Sequence, residues 1–219
     1  TERKLELIKI ELPGVLDYRY AGFIAAVEKG FFKDAGFNVK LLFGSTKEEI
    51  QKRILSGETQ YSVCGAEILI DHFNGLPVIA TAAFFQNSDV TLIVSHEKGD
   101  STLIKEKAGL KLVFNKIKPI EILNMFSKSN LSSADFQIEY NPQNKIQRFL
   151  DGEIDGFEAH FLTDNFEMKN ATRSFHTYNP EHFGVEMYEQ VLYTSKEYYS
   201  SHKSEITPFK EVIAKGWKY

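Results

Sequence analysis

The start of the chain alternates between apolar and polar positions in an order that predicts strand, helix and strand. Leu5–Leu12 alternates with a period of two, as a half-buried strand does. A helical pattern follows an aromatic loop around Tyr18 and ends at a turn at Gly36, after which a second apolar strand runs to Phe43. This order predicts a βαβ unit of a parallel sheet.

The same rhythm continues through the rest of the first half. Ile50, Ile54 and Leu55 are spaced like the buried face of a helix, and Ser45 or Thr46 can cap its first turn. The predicted elements are a helix over Thr46–Leu55 that ends at Ser56-Gly57, a strand over Tyr61–Val63, a helix over Glu67–Asn74 and a strand over Leu76–Phe84.

A second series of strands and helices follows a predicted connector over His96–Ser101. Its predicted strands are Leu110–Phe114, Phe136–Tyr140 and Gly156–Ala159, and its predicted helices are Pro119–Phe126 and Lys145–Leu150. The two series share a rhythm but no sequence period, which predicts two lobes and not a repeat array.

The fold class that this pattern predicts is α/β, with two lobes. The chain leaves the first lobe after a strand over Thr91–Ser95 and returns with a strand over Gln190–Thr194. We therefore expect one lobe of residues 1–95 plus 190–219 and a second lobe of residues 96–189. Crossings near Ser95 and near Glu189 would form a hinge, and closure around a ligand is the motion that such a hinge supports.

Composition narrows the classes of function. The chain has 219 residues, 42% of them hydrophobic, and a formal net charge of -4. This apolar content fills one large core or two modest ones. Lys and Arg are scattered, so we expect no nucleic-acid partner. No apolar run reaches the roughly 20 residues of a membrane span, and the N-terminal residues lack the apolar core of an export signal.

Cys64 is the single cysteine, which excludes an internal disulfide and a multi-cysteine metal site. Low cysteine content suits both a reducing cytosol and a bacterial periplasm, so composition leaves the compartment open. Cys64 precedes a predicted helix whose N-terminal dipole would favour a thiolate, and a nucleophile is one interpretation. A small residue in a turn that faces the ligand is the other.

The sequence matches none of the common catalytic or cofactor-binding templates. It has no P-loop, no Gly-x-Gly-x-x-Gly turn, no His-Glu-x-x-His and no Gly-x-Ser-x-Gly elbow. The six histidines are well separated, and none has a metal-ligand spacing with the cysteine. We therefore expect no enzyme activity, no cofactor and no metal.

A similar mixture of side chains follows each predicted strand end, where ligands of open α/β sheets bind. They are aromatic residues with a few amides and carboxylates, which suit a flat, neutral or cationic heterocycle. The predicted ligand-binding residues are Asp17, Tyr18, Tyr20, Cys64, Glu67, Phe85, Gln86, Asn115, Glu158, His160, Glu186 and Tyr188. For each one taken singly, a packing or solvated role is an equal alternative, and only their joint placement favours a site.

Several blocks together resemble the thiamine-pyrimidine family, which groups periplasmic thiamine-precursor and alkanesulfonate-type binding proteins with fungal thiamine-pyrimidine synthases. The blocks are Tyr20–Phe32, Cys64–Glu67, Gly75–Ala80, Phe183–Ser195 and Lys215–Tyr219. The first block is widespread among such receptors. Phe183–Ser195 is more particular to the pyrimidine branch and to its relatives used as sensor ectodomains.

The resemblance implies a type II periplasmic binding protein fold, with two crossover strands and a ligand in the cleft between the lobes. It implies an extracytoplasmic domain that binds an aminopyrimidine or similar heterocycle, with a transporter permease or a membrane signalling module as its partner. Relatives continue with further helices after Gly-Trp-x-Tyr, so the resemblance implies a C-terminal truncation. An ordinary frayed helix over Thr207–Tyr219 is the alternative.

Two other functions stay open. The synthase branch suggests an enzyme of thiamine-pyrimidine biosynthesis, but this chain does not reproduce the cysteine-rich motif and the substrate-donating histidine of that branch. The weaker alternative is a degenerate lobe pair that binds only a protein partner.

Overall fold

The computed structural model describes residues 5–96, 104–115, 119–140 and 142–219. These residues fold into two compact units. Unit 1 contains the described residues up to Gln86 together with Tyr188–Tyr219, and unit 2 contains those of Asn87–Met187.

Strands and helices alternate along both units. The strands are β1 (Leu7–Leu12), β2 (Asn38–Phe43), β3 (Tyr61–Cys64), β4 (Val78–Phe85), β5 (Val90–Ser95), β6 (Lys111–Phe114), β7 (Gln137–Tyr140), β8 (Gly156–His160), β9 (Phe175–Tyr178) and β10 (Glu189–Ser195). The helices are α1 (Ala21–Glu28), α2 (Phe31–Asp34), α3 (Lys47–Ser56), α4 (Ile68–Phe73), α5 (Ile120–Lys128), α6 (Lys145–Leu150), α7 (Asp164–Met168), α8 (Lys196–Ser201) and α9 (Lys203–Lys218).

The two sheets have the same topology. Unit 1 has the strand order β2-β1-β3-β10-β4, and unit 2 has the order β7-β6-β8-β5-β9. In each sheet the fourth strand runs antiparallel to its neighbours: β10 in unit 1 and β5 in unit 2. Each of these is the first strand that the chain forms after it enters that unit.

Helices cover both faces of each sheet because alternate strand residues are apolar on both sides. In unit 2, Leu112 and Phe114 of β6 pack with α5, whereas Val113 between them packs with α6 and α7. Unit 1 is built alike, with α1, α2 and α9 on one face and α3 and α4 on the other. Strands buried on both faces are typical of α/β proteins.

Local signals explain where α3 begins and ends. The Thr46 hydroxyl accepts a hydrogen bond from the Glu49 N–H at 3.3 Å, and the Glu49 carboxylate accepts one from the Thr46 N–H at 2.8 Å. This capping box satisfies two donors of the first turn. Gly57 ends the helix with a φ of 75°, a conformation that favours glycine. The predicted cap and stop are both confirmed.

Helices α1 and α9 pack closely through two glycines. A Cβ on Gly216 would lie 2.0 Å from the Gly22 carbonyl oxygen and 3.0 Å from the Ala26 Cβ. A Cβ on Gly22 would lie 2.3 Å from the Trp217 ring. The absence of side chains at both positions therefore lets the two backbones meet and places the indole of Trp217 against α1.

The structure corrects the first predicted lobe boundary. The strand predicted over Thr91–Ser95 was expected to close the first lobe, but it lies in β5, which pairs with β8 and β9 in the sheet of unit 2. The chain therefore passes into unit 2 at Gln86 and Asn87, before this strand and not after it. It returns between Met187 and Tyr188, close to the crossing predicted near Glu189.

The sequence pattern also missed two elements of unit 2. Strand β9 has a polar, aromatic sequence, Phe175-His-Thr-Tyr178, and its residues are mostly half-buried at the edge of the sheet. Helix α7 is a five-residue helix with little apolar periodicity. Both depend on neighbours that are distant in sequence, which a local pattern does not reveal.

We predict that Gly216→Ala destabilises unit 1 by about 1–3 kcal/mol, because the added methyl group must push α9 away from α1. Urea unfolding followed by far-ultraviolet circular dichroism measures the change. Glu211→Ala, at an exposed position of the same helix, is the control and should change stability by less than about 0.5 kcal/mol. Equal stabilities of the two variants would contradict the close packing.

Candidate ligand-binding site

The carboxyl ends of the parallel strands in unit 1 meet at one edge of its sheet. Leu12 pairs with Phe43 there, and β10 begins at the same edge, where Val191 pairs with Cys64. The predicted site residues of this unit follow these ends. Ligands of open α/β sheets bind at such an edge, so the predicted placement within the unit agrees with the topology.

The loop after β1 holds the first three predicted residues, and they have different roles. The Asp17 carboxylate accepts hydrogen bonds from the backbone N–H of Arg19 at 2.9 Å and from its guanidinium at 2.6 Å, so it caps the turn over Tyr18–Tyr20. Tyr18 is 79% exposed. Tyr20 is buried in the core of unit 1, and its hydroxyl donates to the Pro13 carbonyl at 2.6 Å.

Tyr20 is therefore a core residue of unit 1 in this structure, and its contact with a ligand stays a prediction. The sequence could not separate it from Tyr18, because two tyrosines in one polar loop give the same pattern. The turn that Asp17 caps rotates one ring inward and leaves the other in solvent.

Two carboxylates converge beside the turn after β3. A Cβ on Gly65 would lie 2.3 Å from Oε2 of Glu67 and 2.9 Å from Oε2 of Glu189, so a larger residue at this position would displace the two carboxylates. Burial raises the pKa of the Cys64 thiol well above its ordinary value, and these two carboxylates raise it further. The thiol stays protonated, which argues against the nucleophile interpretation of Cys64.

The end of β4 supplies one packed and one exposed residue. The Phe85 ring lies against the Trp217 ring, with 4.9 Å between centroids. Gln86 is exposed, and its Nε2 donates to the Ala83 carbonyl at 3.3 Å. Tyr188, the first residue of unit 1 after the second crossing, is 53% exposed. Tyr18, Gln86 and Tyr188 are thus the predicted residues of this edge that solvent reaches most readily.

An ion pair between Glu11 of β1 and Arg53 of α3 links these elements to the loop after β2. The Glu11 carboxylate accepts hydrogen bonds from the Ser45 hydroxyl at 2.5 Å, from Nε of Arg53 at 3.0 Å and from the Thr59 hydroxyl at 3.2 Å. Burial raises the pKa of Glu11, but the hydrogen bonds and the charge of Arg53 outweigh it, and the pKa lies below its usual 4.5. The sequence analysis did not single out this pair.

In unit 2 the carboxyl ends of β6 and β8 carry a hydrogen-bonded network. The Glu158 side chain is fully buried, and its Oε2 accepts from the Asn115 backbone N–H at 2.9 Å. Nζ of Lys145 donates to Oδ1 of Asn115 at 3.2 Å, to the Glu158 carbonyl at 3.0 Å and to Oδ2 of Asp164 at 2.8 Å. The three donors of the ammonium group are thereby used.

His160 extends this network toward the start of β5. Its Nδ1 lies 3.0 Å from Oδ1 of Asp89, and its backbone N–H donates to Oδ2 of Asp164 at 2.8 Å. The structure thus brings together three predicted residues, Asn115, Glu158 and His160. The network fixes their geometry at the edge of the sheet.

The residues that organise this network carry no signal in the sequence. Lys145 opens α6 and Asp164 opens α7, positions where a charged residue is ordinary and gives no signal. Glu186 is exposed in unit 2, and its predicted role rests on the sequence block alone. In the described part of the chain, no group of three or more histidine, cysteine, aspartate or glutamate side chains is arranged to hold a metal ion. No helix of the described ranges has the length and apolarity that crossing a bilayer requires.

The model of the NMT1/THI5-like family matches residues 18–219. The chain belongs to this family. A search of curated protein sequences gave no match. The family predicted from the sequence blocks is therefore confirmed, and the match covers every predicted site residue except Asp17.

Solved structures similar to this NMT1/THI5-like chain include periplasmic proteins. The sulfonate-binding protein SsuA of Methylobacillus flagellatus is 19% identical, with a TM-score of 0.75 over 97% of this chain and 68% of that chain. The aliphatic sulphonate-binding protein SsuA of Escherichia coli is 11% identical, with a TM-score of 0.76 over 97% of this chain and 73% of that one. The VFT2 domain of Bordetella pertussis BvgS is 11% identical, with a TM-score of 0.63 over 95% of this chain and 87% of that domain. These likenesses confirm the α/β periplasmic binding protein fold.

We predict that the Glu11 ion pair makes unit 1 acid-sensitive. Because the pKa of Glu11 is lower in the folded state, the pair stabilises the fold above about pH 4.5, and this contribution is lost as the pH falls through the folded pKa. Glu11→Gln should lower the free energy of unfolding by about 2 kcal/mol near pH 7. This is less than the usual cost of about 3–5 kcal/mol for breaking a fully buried pair, because Arg53 is partly exposed.

Urea unfolding near pH 7 and near pH 3.5 tests the linkage, with Glu211→Gln at an exposed position as the control. The stability gap between the wild type and Glu11→Gln should narrow at the lower pH, whereas the control should follow the wild type. A gap of the same size at both pH values would refute the assignment.

Proposed function

We propose that this chain is an extracytoplasmic domain that binds a small heterocycle such as an aminopyrimidine thiamine precursor. The observation that carries the proposal is the placement of predicted site residues at the carboxyl-end edge of each sheet, in a chain of the NMT1/THI5-like family. In unit 2 three of them, Asn115, Glu158 and His160, share one fixed hydrogen-bonded network.

The chemistry of unit 1 favours a neutral or cationic ring over an anion. Tyr18 and Tyr188 present exposed rings at the edge of the sheet, and such rings stack on flat heterocycles. The carboxylates of Glu67 and Glu189 converge at the same edge and would repel a sulfonate group. The ligand of this chain therefore differs in charge from the sulfonates named for the two SsuA proteins.

Two biological uses fit the proposal. One is a solute-binding protein that delivers its ligand to a transporter permease, and the other is the sensing domain of a membrane signalling protein. The similar structures include two sulfonate-binding proteins and a BvgS domain, so the fold supports both uses. Either use places the domain in the periplasm or on the outer face of a membrane.

Titration calorimetry with the hydroxymethyl-aminopyrimidine precursor of thiamine tests the proposal, with ethanesulfonate as the anionic comparison. We expect micromolar or tighter binding of the pyrimidine, about 8 kcal/mol or more, which a ligand of this size reaches at high efficiency. Tighter binding of ethanesulfonate would overturn the ligand class. Formation of a pyrimidine product after incubation with pyridoxal phosphate and iron would instead favour the biosynthetic enzyme.

We predict that Tyr18→Ala and Tyr188→Ala each weaken pyrimidine binding about three- to tenfold, because each removes a ring contact of about 0.5–1.5 kcal/mol. Both side chains are largely exposed, so the circular dichroism spectrum should not change. Phe73→Ala is the control, since Phe73 is 85% exposed at the far end of α4. Unchanged affinity in both tyrosine variants would remove these residues from the site.

A further inference from the structure

A strained and buried glutamine lies at the start of β10. Gln190 has a φ of 53°, a left-handed conformation that residues other than glycine rarely adopt. Its side chain is only 3% exposed, and its Oε1 is buried without a hydrogen-bond partner among the described residues. A buried carbonyl oxygen without a partner is costly, and strain of this kind clusters at ligand sites and hinges.

Another buried polar atom of this kind belongs to Trp217. Its Nε1 is buried and has no hydrogen-bond acceptor in the described part of the protein. The indole is held by close contacts: it fills the space beside Gly22 and lies edge-on to Phe85 and Phe23, with centroid distances of 4.9 Å and 6.4 Å. The ring cannot turn to find an acceptor without disturbing α1.

Both residues lie near the end of the β4–β10 ladder. Glu189 pairs with Phe85 at this end, Gln190 follows Glu189 directly, and the Trp217 ring packs on Phe85. One of the two atoms accepts a hydrogen bond and the other donates one. The same edge carries the exposed Tyr188 and Gln86, which are predicted to bind the ligand.

We infer that Gln190 and Trp217 form an inner subsite for a group with adjacent donor and acceptor, the amino-imine edge of an aminopyrimidine. The exocyclic N–H of the ligand donates to Oε1 of Gln190, and its ring nitrogen accepts from the indole N–H of Trp217. This inference rests on the proposed function and names the two residues that read the pyrimidine edge. A sulfonate presents acceptors only and cannot donate a hydrogen bond to Oε1 of Gln190.

The strain at Gln190 gives the ligand a route to these covered atoms. Gln190 lies within three residues of the second crossing, between Met187 and Tyr188, and it interrupts the regular pairing at the start of β10. Local opening of Tyr188–Gln190 is the step that this route requires. Binding then replaces two unsatisfied groups with two hydrogen bonds, which favours the ligand that offers both.

The experiment uses Trp217 as its own reporter, because it is the one tryptophan of the chain. Hydroxymethyl-aminopyrimidine is titrated into the wild type while tryptophan emission is recorded, and calorimetry on the same samples gives an independent dissociation constant. We expect a saturable change in emission with the dissociation constant that calorimetry gives. Ethanesulfonate should leave the emission unchanged.

Two variants then remove the hydrogen-bonding atoms with little change in shape. Gln190→Met removes the acceptor and Trp217→Phe removes the donor but keeps an aromatic ring. Each should weaken pyrimidine binding about tenfold, the ratio that corresponds to one hydrogen bond of about 1.4 kcal/mol. Gln147→Met, at an exposed position of α6, is the matched control and should bind like the wild type.

The outcomes separate this inference from the proposed function. Suppose that calorimetry shows binding to the wild type, but the emission does not change and Gln190→Met binds with unchanged affinity. The ligand then lies elsewhere, which overturns the subsite and leaves the proposed function intact. No calorimetric binding of the pyrimidine overturns both. If ordered water is the true partner, the variants alter the melting temperature of the ligand-free protein but not the affinity, and the subsite is again overturned. Should Trp217→Phe not fold, the emission titration and Gln190→Met still decide.

Discussion

The insertion of β10 between β3 and β4 is the constraint on which unit 1 depends. This strand comes from the far end of the chain, and it supplies antiparallel partners to both neighbours, Cys64 on one side and Phe85 on the other. Its Thr194 hydroxyl also donates to the Gln60 carbonyl at 2.6 Å. Without β10, β4 would lose its place in the sheet, and the edge that carries the candidate site would not form.

In unit 2 the strand β5 takes the position in the sheet that β10 takes in unit 1. The first strand after each crossing is thus the antiparallel one in both units. This explains why the predicted lobe boundary was wrong at one crossing only. The strand over Thr91–Ser95 and the strand over Gln190–Thr194 look alike in sequence, and only their pairing shows that each belongs to the unit the chain has just entered.

Local physical signals predicted much of the fold and less of the site. The α3 cap at Thr46 and the period-two strands need only neighbours in sequence, and both were read correctly. Burial of Tyr20 and the contacts of Lys145 depend on groups that the fold brings together from a distance. Gln190 and Trp217 gave no sequence signal as a pair, because their relation exists only through Phe85 and the pairing of β4 with β10.

The raised pKa of Cys64 has a consequence for redox chemistry. Peroxide and alkylating reagents attack the thiolate, and burial together with the nearby carboxylates of Glu67 and Glu189 keeps this sulfur in its neutral form. A lone cysteine in an oxidising compartment is normally exposed to sulfenylation or to mixed disulfides with small thiols. Here burial and the same negative field would slow both reactions, so the Cys64 thiol resists oxidation and alkylation.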